Sequence, residues 1–313
     1  MDLSSYKPKK KLEHKHLLTL ADYSVGEIYE ILSCALKLKD MQKKGKKHEY
    51  LKGKTLAMIF AKSSTRTRIS FEQGIRQLGG TPMFLSSSDI QLGRGETIHD
   101  TVMVMNRFNI DGIMIRTFKQ DDLVELAKYG NMPIINGLTD DYHPCQALAD
   151  IMTVYEVFGT FNGIKLAYFG DGNNVAHSLM LAGAKVGMEV CICSPDGYGP
   201  NPQVLEEAKK FGNVWVTSNV DEAAKDANVV YSDVFFSMGQ AKDEKKEAAL
   251  MPYQVNSELM QKTAKDSIFM HCLPAHRGEE VTADVIDSPR SVIFEQAENR
   301  LHAQKAVMYL LMK

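Results

Sequence analysis

Short apolar runs recur along this chain, each separated from the next by an amphipathic stretch, and few folds can bury such a pattern. Strand-like runs stand at Lys54–Phe60, Gly112–Thr117, Pro133–Asn136, Ile164–Phe169, Glu189–Cys193, Val214–Thr217, Val229–Asp233 and Ser267–Cys272. Between them, Ile69, Phe71, Ile75 and Leu78, and later Leu148, Ile151, Met152 and Tyr155, fall at helical spacing. A strand that is apolar on both faces must be covered on both faces, which parallel sheets flanked by helices achieve. The fold class is therefore α/β, built on doubly wound parallel sheets. A chain of 313 residues allows roughly two domains. Gly137, Thr139, Asp140 and Asp141 make the segment Asn136–Tyr142 a turn, and Pro144 then opens a helix at a favourable first position. The expected division is thus 1–142 and 143–313, with that helix crossing between lobes and a second βα series from Ile164. From Phe294 to Lys313, Ala297, Leu301, Met308 and Leu311 mark one long amphipathic helix, expected to pack back on the first domain.

Composition removes several classes of function. Apolar residues make up 44% and charged residues 24%, a globular balance that excludes long disorder. Thirty-seven Lys and Arg against thirty-nine Asp and Glu leave a formal charge of −2, so no global field attracts nucleic acid or an anionic membrane. Any anion site must be local. The lysine clusters Lys9–Lys11 and Lys43–Lys47 read as solvated surface. Five cysteines without a CxxC pair do not form a disulfide framework, and Cys191 and Cys193 read as small apolar side chains on one strand. No run approaches eighteen apolar residues, so no membrane span is expected. The opening Met1-Asp-Leu-Ser-Ser-Tyr-Lys-Pro-Lys lacks the apolar core of a signal peptide and the arginines of a transit peptide. A cytoplasmic, reducing-compartment protein is expected.

The densest chemistry is Ser63-Ser64-Thr65-Arg66-Thr67-Arg68, placed after one strand and before the helix near Ile69. A helix N-terminus presents unpaired N–H groups and the positive end of its dipole. The hydroxyls add donors, and Arg66 or Arg68 adds a planar, charged fork. A simple helix cap needs one hydroxyl, whereas this segment concentrates four with two arginines. Phosphate binding is the better reading, although no GxxxxGK[ST] loop is present.

Other candidates lie where strands end. Arg116 closes an apolar run, at the end of a sheet where ligands collect. His143 precedes a helix start, and with Gln146 one turn later it forms a pair able to hold a carbonyl oxygen and an amide. Gly170-Asp-Gly172-Asn-Asn-Val175 suggests a dinucleotide loop, but Val175 stands where that fingerprint needs Gly or Ala. Asp233 can accept from an ammonium, while Ser237 and the Met238 backbone can bond a carboxylate or amine; an ordinary capped loop is the bland alternative. His271-Cys272-Leu273-Pro274-Ala275-His276 admits a thiol nucleophile, a metal site short of ligands, or a structural cysteine.

Taken in order, Ser64–Arg68, Gln91 within Ile-Gln-Leu-Gly, Arg116, His143-Pro-Cys-Gln146, Gly170–Asn174, Asp233–Gly239, His271-Cys-Leu-Pro274 and Arg300 resemble the aspartate and ornithine carbamoyltransferase family. The resemblance covers nearly the whole chain. It implies two domains with a cleft between them, carbamoyl phosphate in the first and ornithine in the second. It carries Ser64, Thr65, Arg66, Thr67, Gln91, Arg116, His143, Gln146, Cys272, Leu273 and Arg300 to carbamoyl phosphate, and Asn174, Asp233, Ser237 and Met238 to L-ornithine. Arg116, His143, Asp233, Cys272 and Arg300 are the implied catalytic residues. The implied reaction gives L-citrulline and phosphate within arginine metabolism and amino-acid biosynthesis, with no metal or organic cofactor. The implied assembly is a homotrimer or a multiple of trimers, in which the Gln91 segment can serve a neighbouring subunit. A carbamoyltransferase for another amine such as putrescine, or a two-lobed anion-binding protein without chemistry, are the alternatives. Asn174 and the Ser237-Met238-Gly239 loop favour an amino-acid acceptor.

Overall fold

The computed structural model describes residues 3–236 and 243–313. Its main elements alternate: α1 Val25–Lys43, β1 Thr55–Phe60, α2 Thr65–Gln77, β2 Thr81–Ser86, α3 Ile98–Arg107, β3 Gly112–Arg116, α4 Gln120–Tyr129, β4 Ile134–Leu138 and α5 Pro144–Phe158. The series continues with β5 Lys165–Phe169, α6 Asn174–Val186, β6 Glu189–Cys193, α7 Pro202–Lys209, β7 Val214–Thr217, α8 Val220–Ala224 and β8 Val229–Ser232. It closes with α9 Glu244–Leu250, α10 Ser257–Gln261, β9 Ile268–His271, α11 Ala283–Ile286 and α12 Ile293–Met312. Two wholly parallel sheets result, ordered β2-β1-β3-β4 and β7-β6-β5-β8-β9. The α/β class and its parallel sheets are as expected. The eight apolar runs each became a strand, but β2 did not announce itself. Thr81-Pro-Met-Phe-Leu-Ser is an edge strand with Met83 and Phe84 exposed, so it lacks the doubly buried signature of the others.

By contact density the chain forms two compact units, Met1–Met152 with Asn299–Lys313, and Thr153–Glu298. The divisions run through α5 and α12, because each of these helices continues from one unit into the other. The turn at 140–142 lies just ahead of α5. In the first unit a core of Ala57, Ile59, Ile113, Ile115, Leu123, Leu126 and Ile134 packs strands against helices. In the second, Ala167, Phe169, Cys191, Cys193, Val230 and Phe269 do the same. Cys191 and Cys193 are thus apolar filling, and all five cysteines are unbridged. No helix among the described residues is long and apolar enough to cross a membrane.

As expected, the last helix packs back on the first unit. Gly74 on α2 has no side chain to obstruct it: a Cβ there would lie 2.8 Å from Met308. Lys305 is wholly buried and donates to Gln42 at 2.7 Å and Gln77 at 2.9 Å, with His48 Nε2 at 3.2 Å. Lys39 donates to Asn299 Oδ1 at 2.7 Å. Neutral acceptors thus solvate these buried ammonium groups in place of water.

Two carboxylates of α1 hold the N-terminal segment. Glu30 accepts from the Lys9 and Lys10 backbone N–H groups at 2.6 and 2.7 Å and from the Tyr6 hydroxyl at 2.9 Å. Glu27 completes a capping box with Ser24 and accepts from the Glu13 and His14 backbone at 2.9 and 3.0 Å. Burial pushes the Glu27 carboxyl up, but these hydrogen bonds and the His14 side chain outweigh it, bringing the group from its ordinary 4.5 to about 2. A depressed carboxyl stabilises the fold above its unfolded value and loses that contribution as pH falls towards its folded value. Glu27→Gln is expected to cost about 2 kcal/mol at pH 7, with the difference in melting temperature from wild type shrinking as pH drops from about 4.5 towards 2. Thermal unfolding of both proteins across that range checks it.

Candidate active site

Register decides what meets at the strand ends of the first unit. Phe60 pairs with Arg116, so the loop leaving β1 towards α2 starts beside the arginine that ends β3. That loop is the hydroxyl-rich segment. Ser64 caps α2, its side chain accepting from the Thr67 N–H at 3.3 Å, and Thr67 turns inward. Arg116 Nη1 and Arg300 Nη2 both reach Thr67 Oγ1, at 3.5 and 3.2 Å. Arg300 also donates through Nη1 to Gln146 Oε1 at 2.6 Å, and Gln146 passes a donor to Asp150 Oδ1 at 2.8 Å. Two buried guanidinium groups therefore share one hydroxyl at the positive end of a helix. Their mutual repulsion falls when an anion sits among them.

His143 lies fully buried directly before α5. Burial lowers its pKa well below the ordinary imidazole value, and Arg300, Arg116 and Arg66 push it the same way. It is neutral at physiological pH, offering one donor and one acceptor rather than a charge. The two arginines of the motif separate in role. Arg68 pairs with Glu72 at 2.9 Å and stacks on Phe84 at 3.7 Å, whereas Arg66 bears electrostatically on His143. A cavity of about 560 Å³ opens beside the segment, lined by Ser63, Ser64, Thr65, Arg68, Ser86 and Ser88 among others. Gln91 begins a short 3₁₀ turn, is exposed, and makes no side-chain hydrogen bond to the Thr67 cluster. Lys62, which belongs to no motif in the sequence, is buried at the start of this loop, paired with Asp140 and set 4.2 Å from the Phe118 ring.

In the second unit the same logic of register applies. Ser232 pairs with His271 and Phe169 with Ser232, so Gly170, Asp233 and Cys272 leave neighbouring strand ends. Asp233 Oδ1 accepts from the Cys272 thiol at 2.9 Å and from the Val234 N–H at 2.8 Å. Its Oδ2 accepts from Asn173 Nδ2 at 2.8 Å. Asn173 also caps α6, accepting from Val175 and Ala176 at 2.9 and 3.3 Å. Of the two neighbouring asparagines, Asn173 is the one that donates to Asp233. Asn174 is the first residue of α6 and is buried beside it. The capping preference of asparagine was the sequence signal for Asn173, but the signal does not reveal the second partner. Gly172 has a steric explanation, since a Cβ there would meet Pro200 N at 2.2 Å, so the loop 199–200 occupies that space. Leu273 follows Cys272 with φ of +58°. Ser237 and Met238 lie outside the described residues.

Parallel α/β units that gather arginines at a helix end in one and a carboxylate–thiol pair at strand ends in the other carry their polar groups where such folds bind ligands. Residues 15–156 match the family described as aspartate/ornithine carbamoyltransferase, carbamoyl-P binding domain, and residues 162–311 match its Asp/Orn binding domain. The chain belongs to the aspartate/ornithine carbamoyltransferase family. It is 56% identical to an ornithine carbamoyltransferase of Oceanobacillus iheyensis, covering 97% of this chain and 96% of that one. It is 54% identical to one from Thermococcus kodakarensis, covering 96% and 97%. Its fold superposes on the ornithine carbamoyltransferase structure from Pyrococcus furiosus with a TM-score of 0.92, at 52% identity over 95% of this chain and 96% of that one.

Removing Asn173 tests the second cluster. Asn173→Ala is expected to cost about 1–2 kcal/mol of stability through loss of the cap. It should also alter the environment of Asp233. Urea denaturation and Cys272 alkylation rates check both, since a cap alone would leave thiol reactivity unchanged.

Proposed function

We infer that this chain transfers the carbamoyl group of carbamoyl phosphate to the side-chain amine of L-ornithine, giving L-citrulline and phosphate. The observation that carries the reading is the convergence of Arg116 and Arg300 on Thr67 at the head of α2, beside a neutral His143. Family membership and the names of the relatives support the same reaction, and they disfavour a binding protein without chemistry.

In this reading Ser64, Thr65, Arg66 and Thr67 hold the phosphate, with the α2 dipole adding to their charge. Arg116, His143 and Arg300 stabilise the negative charge that develops on the carbonyl oxygen, and Gln146 holds the carbamoyl amide. Because His143 is neutral, it donates a hydrogen bond without competing for the phosphate. Asp233 and Asn174 hold the ornithine head group, assisted by Ser237 and Met238. Cys272 lies against the side-chain amine, and the Leu273 carbonyl accepts from the carbamoyl group. Free ornithine carries its side-chain amine protonated, as a primary alkylamine like that of lysine titrates at about 10.4. The ammonium releases one proton to solvent as the amine enters, Asp233 with Cys272 steers the resulting neutral amine, and the departing phosphate accepts the second proton after the nitrogen has attacked. The nitrogen forms its bond to the carbamoyl carbon through a tetrahedral intermediate, and the bond to the phosphate oxygen breaks. No step requires a metal or organic cofactor.

A homotrimer fits the surface. Met83 and Phe84 on the edge strand β2 and Ile69 on α2 are exposed apolar side chains, Phe84 and Ile69 lining one cavity, and a second copy seated at this strand would cover them. The exposed Gln91 segment suits a role at a neighbour's phosphate site. We place the reaction in arginine metabolism and the protein in the cytoplasm.

Initial rates with ornithine, putrescine, lysine and aspartate test the reaction. Ornithine is expected to exceed putrescine by at least about 100-fold, with citrulline and phosphate released in equal amounts. A preference for putrescine would overturn the acceptor assignment. Arg66→Gly is expected to lower kcat/KM for carbamoyl phosphate by about 10²–10⁴; a loss under about threefold would overturn the phosphate site. Sedimentation should give three times the 35.0 kDa chain mass or a multiple of that, and Met83→Lys should shift it towards smaller species with loss of turnover.

A further inference from the structure

The loop leaving β9 contains a buried pair that neither ligand set uses. His271 ends the strand with its side chain fully enclosed, and Glu280, equally enclosed, faces it with Oε1 3.3 Å from His271 Nε2. On the other side of the ring, His271 Nδ1 accepts from the Leu273 backbone N–H at 2.9 Å. A neutral imidazole has one donor and one acceptor, so acceptance at Nδ1 places the proton on Nε2, towards the carboxylate. Glu280 Oε1 also accepts from the His276 N–H at 2.5 Å, so the carboxylate holds that end of the segment 271–276 by a hydrogen bond. At the other end its 3.3 Å contact with His271 Nε2 is not aligned as a hydrogen bond and acts through charge, which favours a proton on the nitrogen that faces it. Burial raises the Glu280 carboxyl, but the His271 side chain and the His276 backbone outweigh it and keep the group below its ordinary value. The segment needs such a grip. Leu273 sits in the left-handed region, which a branched residue enters only when its surroundings enforce it.

We propose that Glu280 and His271 are positioning residues: Glu280 holds His271 in the Nε2–H form, which leaves Nδ1 to fix the Leu273 N–H and so aims the Leu273 carbonyl and the Cys272 thiol. The inference rests on the reading above in which Leu273 and Cys272 meet the substrates. Neither His271 nor Glu280 touches a reacting atom. Each acts through the backbone of the next link. The Cys272 contact to Asp233 at 2.9 Å depends on that backbone, because both side chains project from the ends of paired strands.

Two near-isosteric variants separate this role from simple packing. In His271→Asn the amide oxygen stands near the position of Nδ1, so it can still accept from Leu273. In His271→Gln the amide reaches the position of Nε2, so Glu280 keeps a partner while Leu273 loses its acceptor. Hydrogen exchange at the Leu273 amide, melting temperature, and kcat and KM for both substrates are measured on the full-length protein. His271→Asn is expected to retain amide protection and turnover within about threefold of wild type. His271→Gln is expected to exchange at least about tenfold faster and to lose about 10–100-fold in kcat, at a melting temperature close to that of His271→Asn. Glu280→Gln, which no longer dictates the tautomer, should fall between them. Equal exchange in the two His271 variants would overturn the positioning role, and unchanged exchange in Glu280→Gln would overturn the part given to the carboxylate. A split in exchange without any split in turnover would instead remove Leu273 from the reacting site and overturn that reading with it.

Discussion

A parallel sheet buried on both faces leaves its backbone no partner but the neighbouring strand, and every polar group that does chemistry is pushed to the strand ends. Both units of this chain obey that constraint. Strand β3 is apolar until its last residue, and there Arg116 emerges beside the loop that leads from the buried strand β1 to α2. Strands β5, β8 and β9 are likewise buried until Gly170, Asp233 and Cys272 leave them in adjacent positions. The candidate residues are far apart in sequence and adjacent in space for one reason: parallel register brings the same ends of consecutive strands together.

The electrostatics of the first unit follow from what that end collects. Guanidinium groups from a strand terminus and from the last helix converge on one threonine hydroxyl, and the relay through Gln146 to Asp150 ties Arg300 in place. Such a cluster is costly without an anion, since like charges at low dielectric repel. The same charges keep His143 neutral, so the positive field and a neutral hydrogen-bonding imidazole belong to one arrangement. The second unit uses a different economy. One carboxylate, Asp233, is shared among an amide, a thiol and a backbone N–H, which holds its two oxygens in fixed directions.

Much of this was legible beforehand, though unevenly. The buried strands announced themselves because two-sided burial demands unbroken apolar runs, and the Ser64–Arg68 motif did so because no simple cap needs so many hydroxyls and arginines. Strand β2 escaped notice because an exposed edge strand needs no such run, and its Thr81-Pro82 start reads as a turn. Asn173 was overshadowed by Asn174, since neighbouring asparagines at a helix start carry identical local signals and only the fold shows which one meets Asp233. Arg66 and Arg68 were equally plausible on paper. Helical geometry turned Arg68 outward to Glu72 and Phe84.

By itself, the sequence determined the α/β class, the buried strands and their order, and the family, because each depends on hydrophobic period and on short motifs that are local along the chain. Only the tertiary structure decided the partnerships. That Arg300 of the last helix meets Thr67 of the second, that Glu280 faces His271, and that Cys272 donates to Asp233 are consequences of strand register and helix return. The physical reason is that side-chain hydrogen bonds between distant segments leave no periodic trace. Their geometry exists only once backbone pairing has brought the segments together.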